Sequence, residues 1–146
     1  MAAFSHILVP TDFGEASDRA LATALELAPI FDARVTLMHA TLLPPNYTAR
    51  YIEECGTPTD DLREGARREL EAAVAKAKQR WSKLEGALLV GDPWARILEA
   101  AKEHGADVII MGTHGRRGVA RAVLGSIAEK IVRLSPIPVM TVSAHE

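Results

Sequence analysis

The stretch that decides the fold is DVIIMGTHGRRGVARAVLGSIAEKIVRL, residues 107–134. The apolar run 106–111 is too short for a helix and rich in β-branched residues, so it predicts a buried strand. The segment 126–134 places Ile127, Ile131 and Leu134 at helical spacing and predicts a helix. A glycine-rich loop joins the two. The stretch therefore predicts a strand, a loop and a helix in that order, which is the repeating unit of parallel α/β proteins.

The rest of the chain repeats this alternation. Four more short apolar runs predict strands, at 6–10, 34–40, 86–90 and 138–142. Helical spacing of apolar residues predicts three more helices, at 15–30, at 60–83 and from Pro93 to just before Gly105. Pro29 lies at the end of the first of these, and the apolar face of the second continues through Ala77 to Trp81.

Several residues mark where helices begin and end. Thr57 followed by Pro58, and Asp92 followed by Pro93, suit an N-cap with proline at the first helical position. Gly105 suits the left-handed residue that ends a helix. The segment 41–58 has two adjacent prolines and little periodicity, and a loop of this length in a compact domain is usually functional or mobile.

This order of elements predicts the fold class. Continuous apolar strands that alternate with amphipathic helices indicate an α/β protein with a single open parallel five-stranded sheet and helices on both faces. At 146 residues we expect one domain, 1–146. Ligands bind such sheets beyond the carboxyl ends of the strands, where the winding direction reverses. The segments to examine are those that leave Pro10, Ala40, Val90 and Met111.

Composition narrows the class of protein. The formal net charge of −2 gives no overall field that would recruit nucleic acid, so we expect no nucleic-acid partner. No apolar segment reaches about 18 residues, so we expect no membrane span. Cys55 is the single cysteine, which fits a reducing compartment. The amino terminus lacks the charged and apolar regions of a signal peptide, and we expect a cytoplasmic protein.

The glycine-rich loop is a candidate phosphate site. Gly112, Gly115 and Gly125 would let backbone approach an oxyanion, and Ser126 offers a hydroxyl where a helix begins. Three arginines could add charge-assisted bonds: Arg116, Arg117 and Arg121. The alternatives stay open at this point, since Gly112 could be a turn residue, Gly125 with Ser126 a simple cap, and the arginines a solvated surface.

Asp12 supplies a second element at the end of the first strand. Its carboxylate could accept bonds from ribose hydroxyls or help to hold a phosphate-bound metal. The competing interpretation, that Asp12 caps the first helix, is favoured by position alone. The sequence contains no P-loop, no G-x-G-x-x-G after the first strand, no nucleophile elbow and no H-E-x-x-H or paired-cysteine motif, so we expect no dedicated metal site.

The residues together resemble the universal stress protein family. The resemblance is carried by ILVPTDF (7–13), VTLMHA (35–40), VGDPWARIL (90–98), DVIIMGTHGRRG (107–118) and LGSIAEKIVRLSPIPVMTV (124–142). The spacing G-x2-G-x9-G-[ST] in the last two blocks is the pattern of the ATP-binding members. The resemblance implies a Rossmann-like sheet of the adenine nucleotide alpha hydrolase type, with strand order 3-2-1-4-5.

The resemblance also implies which residues bind the nucleotide. In such proteins the equivalents of Pro10, Thr11 and Asp12 contact the nucleoside side, and the backbone of Ala40 reads the adenine edge. The full candidate set is Pro10, Thr11, Asp12, Ala40, Gly112, His114, Gly115, Arg116, Gly125, Ser126 and Ile127. One departure is visible, because many members carry a serine in the first turn where this chain has Gly14.

The implied function is that of an ATP-binding regulatory module in the stress response, with ATP bound together with Mg²⁺. Family members are usually homodimers that pair their last strands, which here begin at Pro138 and end at Val142. Two alternatives remain: a slow ATPase of the same fold, and a dimeric interaction protein that does not use ATP. No catalytic residue is marked. His114 could contact phosphate or orient water, although a loop histidine is more often a bystander. His39 faces either the cleft or the core, and the core is favoured.

Overall fold

The computed structural model describes residues 4–41, 59–114 and 124–144. Five parallel strands form one sheet in the order β3-β2-β1-β4-β5. The strands are β1 His6–Pro10, β2 Arg34–Thr41, β3 Leu84–Val90, β4 Val108–Gly112 and β5 Val139–Val142. The helices are α1 Glu15–Phe31, α2 Thr59–Lys78, α3 Pro93–Glu103 and α4 Ser126–Leu134. The predicted fold class and strand order are confirmed.

Apolar residues on both faces of the strands explain why helices cover both sides of the sheet. Ile7 and Val9 of β1 belong to the core beneath α1 and α2. Leu8, between them, points to the opposite core beneath α3 and α4. Successive side chains of a strand alternate between the faces, so an unbroken apolar run requires a cover on each side.

The winding direction reverses between β1 and β4, the two strands at the centre of the sheet. The chain leaves β1 into α1 on one face and leaves β4 into α4 on the other. Register places Ile7 beside Val108 and Leu8 beside Ile109. The carboxyl ends of both strands therefore reach the same edge of the sheet, where the connections diverge and leave room for a ligand.

One predicted helix end is wrong. The second helix was expected to reach residue 83, but α2 ends at Lys78, and Trp81 lies beyond it with its indole N–H donating to Ala33 O at 2.8 Å. The first helix, predicted over 15–30, agrees to within one residue, since α1 continues through Pro29 to Phe31. A proline in the last turn forfeits only one helical hydrogen bond, so it does not stop the helix.

Other expectations have mixed outcomes. Gly105 does adopt the left-handed conformation after α3, with φ of +65°. In α4 the face assignment is wrong, because Ala128 and Ile131 are buried whereas Ile127 and Leu134 are 38% and 46% exposed. Successive residues of a helix are rotated by about 100° around its axis. Ala128 and Ile131 therefore define the centre of the buried face, and Ile127 and Leu134 lie at its margin. The predicted cap at Thr57 and Pro58 lies outside the described residues, as does all of the predicted loop except its first residue.

In the ranges that the structure describes, no helix is both long and apolar enough to span a membrane.

Candidate functional site

The turn between β1 and α1 is built around the Asp12 carboxylate. Asp12 Oδ1 accepts hydrogen bonds from the Gly14 amide at 2.8 Å and from the Ser17 hydroxyl at 2.9 Å. The Thr11 hydroxyl contacts Ser17 Oγ at 3.2 Å and accepts the Phe13 amide at 2.9 Å. Side chains therefore satisfy the backbone of this turn, and Asp12 is held half-buried at the carboxyl end of β1.

Asp12 does not cap α1 as position alone suggested. The N-cap residue is Gly14, and no side chain caps the first turn of the helix. The carboxylate instead closes a turn before the helix begins. Gly14 lacks the serine hydroxyl that many members of the resembled family carry in this turn. The Ser17 hydroxyl lies in the same turn, and this buried residue was not among the predicted site residues.

Phe13 and His39 fix the outer side of this turn. Phe13 has φ of +63°, a left-handed conformation that is rare for a large side chain and costs about 1–3 kcal/mol. Its ring lies 4.6 Å from the ring of His39. His39 Nδ1 donates to Thr11 O at 2.7 Å, so this nitrogen carries a proton. Of the two positions predicted for His39, the favoured one in the core is wrong, because the residue is half-buried and ties the end of β2 to the β1 turn.

The end of β2 lies beside the same turn. The Thr11 amide donates to Met38 O at 2.8 Å, which continues the pairing of β1 with β2. Ala40 is half-buried at the carboxyl end of β2, next to the strand that carries Pro10. Thr41 was predicted to be the first residue of a loop, but it is the last residue of β2. Its carbonyl accepts a hydrogen bond from the Gly91 amide at 3.1 Å.

Gly112 has a packing role that its place in the motif did not reveal. It is the last residue of β4, whereas the strand was expected to end at Met111. A Cβ at Gly112 would lie 2.7 Å from Ala16 Cβ and 2.8 Å from the Ala16 carbonyl carbon. The missing side chain therefore lets the end of β4 pack directly against the first turn of α1, which carries Ser17.

The start of α4 is anchored to the end of β4. The Gly125 amide donates to Thr113 O at 2.7 Å, and the Thr113 amide donates to Val142 O at 2.9 Å. Gly125 is the N-cap of α4 and has no side chain with which to cap the first turn. Ser126 is exposed in that turn. The amide groups in the first turn of a helix have no partner within the helix, and such groups attract anions.

His114 directly follows Thr113, the residue whose carbonyl accepts the Gly125 amide. Its Nδ1 is 3.0 Å from the Thr113 hydroxyl, and its Nε2 is buried without a hydrogen-bond partner among the described residues. Gly115 and Arg116 of the candidate set lie outside those residues, as do Arg117 and Arg121. Within the described part of the chain, no three histidine, cysteine, aspartate or glutamate side chains are grouped so that they could hold a metal ion.

The structure thus brings together most of the predicted set. Pro10 ends β1, which pairs with β4, and Gly112 packs against Ser17, whose hydroxyl bonds Thr11 and Asp12. The α4 start is bonded through Gly125 to Thr113, directly after β4, and Ser126 follows it. Ala40 lies one strand away on β2. Ile127 is in the first turn of α4 and partly exposed. Among the described residues, this end of the sheet offers the Asp12 carboxylate, the hydroxyls of Thr11, Ser17 and Ser126, and the start of α4. A ligand with a hydroxylated part and an anionic part would match it.

Comparison with known proteins shows a consistent relationship over nearly the whole chain. The sequence profile of the universal stress protein family matches residues 3–143. The universal stress protein MJ0531 of Methanocaldococcus jannaschii is 31% identical over 140 residues, which cover 95% of this chain and 82% of that protein.

Solved structures share the fold. Universal stress protein UspA from Lactobacillus plantarum superposes with a TM-score of 0.82 at 22% identity, covering 94% of this chain and 97% of its own. A universal stress protein in complex with cAMP gives 0.68 at 22% identity, with 97% and 98% covered. The universal stress protein from Archaeoglobus fulgidus in complex with dAMP gives 0.66 at 22% identity, with 97% and 99% covered. With its central β1 and β4, its glycine spacing and these matches, the chain belongs to the universal stress protein family.

Proposed function

We propose that this protein binds ATP at the carboxyl edge of its sheet, between β1 and β4, and acts as a nucleotide-responsive regulatory module. The observation that carries the proposal is the convergence of Asp12, Gly112 and the start of α4 at the point where the winding reverses. In this proposal the residues of the glycine motif form the phosphate side of the site, and Asp12 forms the ribose side.

Two structural relatives support an adenine nucleotide as the ligand class. One was solved with cAMP and the other with dAMP, and both share the fold of this chain over 97% of its length. Both ligands combine adenine, a sugar and a phosphate. The choice of ATP among the adenine nucleotides rests on the glycine motif that runs from Gly112 to Ser126.

The described residues fit a nucleotide. His114 Nε2 is a buried polar atom that lacks a partner among them, which is costly unless a ligand or solvent supplies one. The α4 start has a glycine at its N-cap, which cannot cap the first-turn amides with a side chain. For Mg²⁺ the fit differs, because no cluster of acidic or histidine groups in the described ranges could hold it alone. We propose that Mg²⁺ enters with the phosphates of ATP.

The proposal is tested by measuring ATP and adenosine affinities by calorimetry for the wild type, Ser126→Ala and Asp12→Asn. Asp12→Asn keeps an oxygen for the Gly14 amide and removes the charge. We expect Asp12→Asn to weaken both ligands, because the ribose is common to them. We expect Ser126→Ala to weaken ATP by about threefold to tenfold and to leave adenosine unchanged, because only ATP carries phosphate.

Asp18→Asn is the matched control, since Asp18 is an exposed carboxylate in the first turn of α1 and the charge change is the same. Mass spectrometry of nucleotide released from freshly denatured protein gives an independent readout. The proposal is refuted if no adenine nucleotide co-purifies and the wild type fails to bind ATP at millimolar concentration. Loss of γ-phosphate faster than in buffer during a single turnover would instead establish the slow ATPase.

A further inference from the structure

A buried histidine lies at the amino end of the sheet, opposite to the proposed nucleotide site. His6 is the first residue of β1 and is only 2% exposed. Its Nδ1 lies 2.8 Å from His104 O, which can only accept, so Nδ1 carries a hydrogen. Its Nε2 lies 2.7 Å from Thr36 Oγ1. A neutral imidazole has a single N–H, so Nε2 of neutral His6 accepts a hydrogen bond from the Thr36 hydroxyl.

The Thr36 hydroxyl has one hydrogen and two acceptors within reach. Thr36 is fully buried on β2 and lies directly opposite Glu85 in the pairing of β2 with β3. Its Oγ1 is 2.7 Å from His6 Nε2 and 3.4 Å from Glu85 Oε1. A hydroxyl has a single hydrogen to donate. While His6 is neutral, the shorter bond holds that hydrogen, and the Glu85 carboxylate does not receive it.

Protonation of His6 reverses this arrangement. An imidazolium donates from both ring nitrogens, so Nε2 then donates to Thr36 Oγ1. The hydroxyl hydrogen is left with Glu85 as its acceptor. The resulting chain pairs the buried cation with a carboxylate through one hydroxyl, and hydrogen bonds of charged groups are stronger than neutral ones. The Glu85 side chain is 60% exposed, so the same chain connects the buried ring to water.

Charged groups on neighbouring segments surround His6. Arg34 NH2 lies 3.4 Å from Nδ1 of His6, and its charge opposes an imidazolium. Asp107 Oδ2 accepts the His6 amide at 2.9 Å, and its charge favours one. His104 Nδ1 is 3.7 Å from Glu85 Oε1, so a protonated His104 competes for that carboxylate. Burial lowers the pKa of His6 from 6.5, so the ring takes up its proton below that pH.

We propose that His6, Thr36 and Glu85 form a pH-sensitive switch at the amino end of the sheet, which we call the amino-end relay. One proton from water ends on His6 Nε2, and the Thr36 hydroxyl turns from His6 to Glu85. In the neutral form the hydroxyl joins β1 and β2 only. In the protonated form the chain crosses β1, β2 and the edge strand β3, so acid adds a side-chain link to that edge strand. The relay shares no residue with the proposed nucleotide site.

The first test is an NMR titration of the wild type with labelled histidine and glutamate side chains. Above the midpoint of the His6 titration, we expect nitrogen chemical shifts of a protonated Nδ1 and an unprotonated Nε2. Besides its own titration, the Glu85 carboxyl carbon should show a step at the His6 midpoint, because it gains the hydroxyl bond there. A neutral His6 with its hydrogen on Nε2 would overturn the proposal, since the hydroxyl would then already face Glu85.

The second test is a double-mutant cycle on the midpoint of the His6 titration. Glu85→Gln should lower the midpoint by about one pH unit, because the imidazolium loses its charged acceptor. In a Thr36→Val background the same change should lower the midpoint by much less, since the carboxylate then acts only through space. Equal shifts in the two backgrounds would overturn the relay.

Two further variants complete the design. Thr36→Ser keeps the hydroxyl and should keep the full effect of Glu85→Gln, and loss of that effect would contradict the relay. Glu15→Gln is the matched control, because it makes the same charge change at an exposed residue in the first turn of α1, at the carboxyl end of the sheet. It should leave the His6 midpoint unchanged. A shift as large as that of Glu85→Gln would show that net charge, and not the relay, sets the midpoint.

Discussion

Gly112 is a residue whose smallness the packing demands. A Cβ there would meet Ala16 Cβ at 2.7 Å and the Ala16 backbone at 2.8 Å, and neither atom is the end of a flexible side chain. We predict that Gly112→Ala lowers the free energy of unfolding by about 1–3 kcal/mol, because β4 and α1 must separate. Urea unfolding followed by circular dichroism measures the change.

Gly65 is the natural comparison for that substitution. It lies inside α2, and nothing comes within 4 Å of a Cβ built on it. Gly65→Ala should therefore raise the free energy of unfolding by about 0.5–1 kcal/mol, which is the helix preference of alanine over glycine. If the two substitutions changed the free energy of unfolding equally, contact with Ala16 would not be what excludes a larger side chain at residue 112.

His6 gives a prediction on pH. Its side chain is buried, with Nδ1 donating to His104 O at 2.8 Å and Nε2 lying 2.7 Å from Thr36 Oγ1. Burial lowers the pKa of His6 below its ordinary value of 6.5, and the bond to the His104 carbonyl partly opposes this. The titratable or charged side chains that face it are Arg34, His104, Glu85 and Asp107.

The sign follows from linkage. Because the pKa of folded His6 lies below the unfolded value, the unfolded chain takes up a proton first as the pH falls. The free energy of unfolding should therefore decrease as the pH falls from above 6.5 towards the folded pKa, and then level off. His6→Gln keeps a donor and an acceptor but does not titrate. We expect the wild-type minus variant difference in unfolding free energy to shrink over that window, and parallel curves would contradict the assignment.

At the scale of single elements, the largest error in the predicted limits is the end of α2, while β3 begins two residues earlier and β4 two residues later than predicted. The strands are continuous apolar runs, and β1 was predicted with its observed bounds because nothing polar blurs its limits. The end of α2 was missed because Trp81 continues the apolar spacing after the helix has stopped. An indole that packs from a turn and one that packs from a helix give the same pattern, so periodicity alone cannot separate them.

The candidate site shows the same limit. Glycine spacing and Asp12 predicted a site at the carboxyl ends of β1 and β4. The spacing could not tell that Gly112 meets Ala16, since contact with a helix and contact with a phosphate both require a missing side chain. Ser17 and Phe13 were missed, and the contact of His39 with Thr11 was not predicted, because these roles depend on a turn whose left-handed residue is a phenylalanine, where sequence gives no signal.

Trp81 tests how α2 is fastened to the sheet. Its indole N–H donates to Ala33 O at 2.8 Å, just before β2 begins, and its ring packs against the core under α2. Trp81→Phe keeps an aromatic ring and leaves the carbonyl without that donor. We expect a loss of about 1–3 kcal/mol in the free energy of unfolding, measured by urea titration. A loss below about 0.5 kcal/mol, within the usual range for surface substitutions, would mean that water replaces the bond.

At the scale of the whole molecule, the sheet has one edge at β3 and the other at β5. On β5 the carbonyls of Pro138 and Val142 accept hydrogen bonds from β4, at 3.0 Å and 2.9 Å. Since hydrogen-bonding groups alternate along a strand, the amides of Val139 and Thr141 point away from the sheet. Met140 is 38% exposed between them. An edge with outward amides and apolar side chains can pair with another strand.

We therefore propose, as the family resemblance implies, that two copies pair through β5, and we predict that Thr141→Pro separates them. Proline removes the outward amide of Thr141 and no hydrogen bond to β4, and edge strands tolerate it. Sedimentation velocity should give a dimer for the wild type and a monomer for Thr141→Pro, with unchanged circular dichroism. Thr141→Val keeps the amide and should stay dimeric. A Thr141→Pro protein that remains dimeric would place the interface elsewhere, and a monomeric wild type would remove the proposal, because the outward amides would then face only solvent.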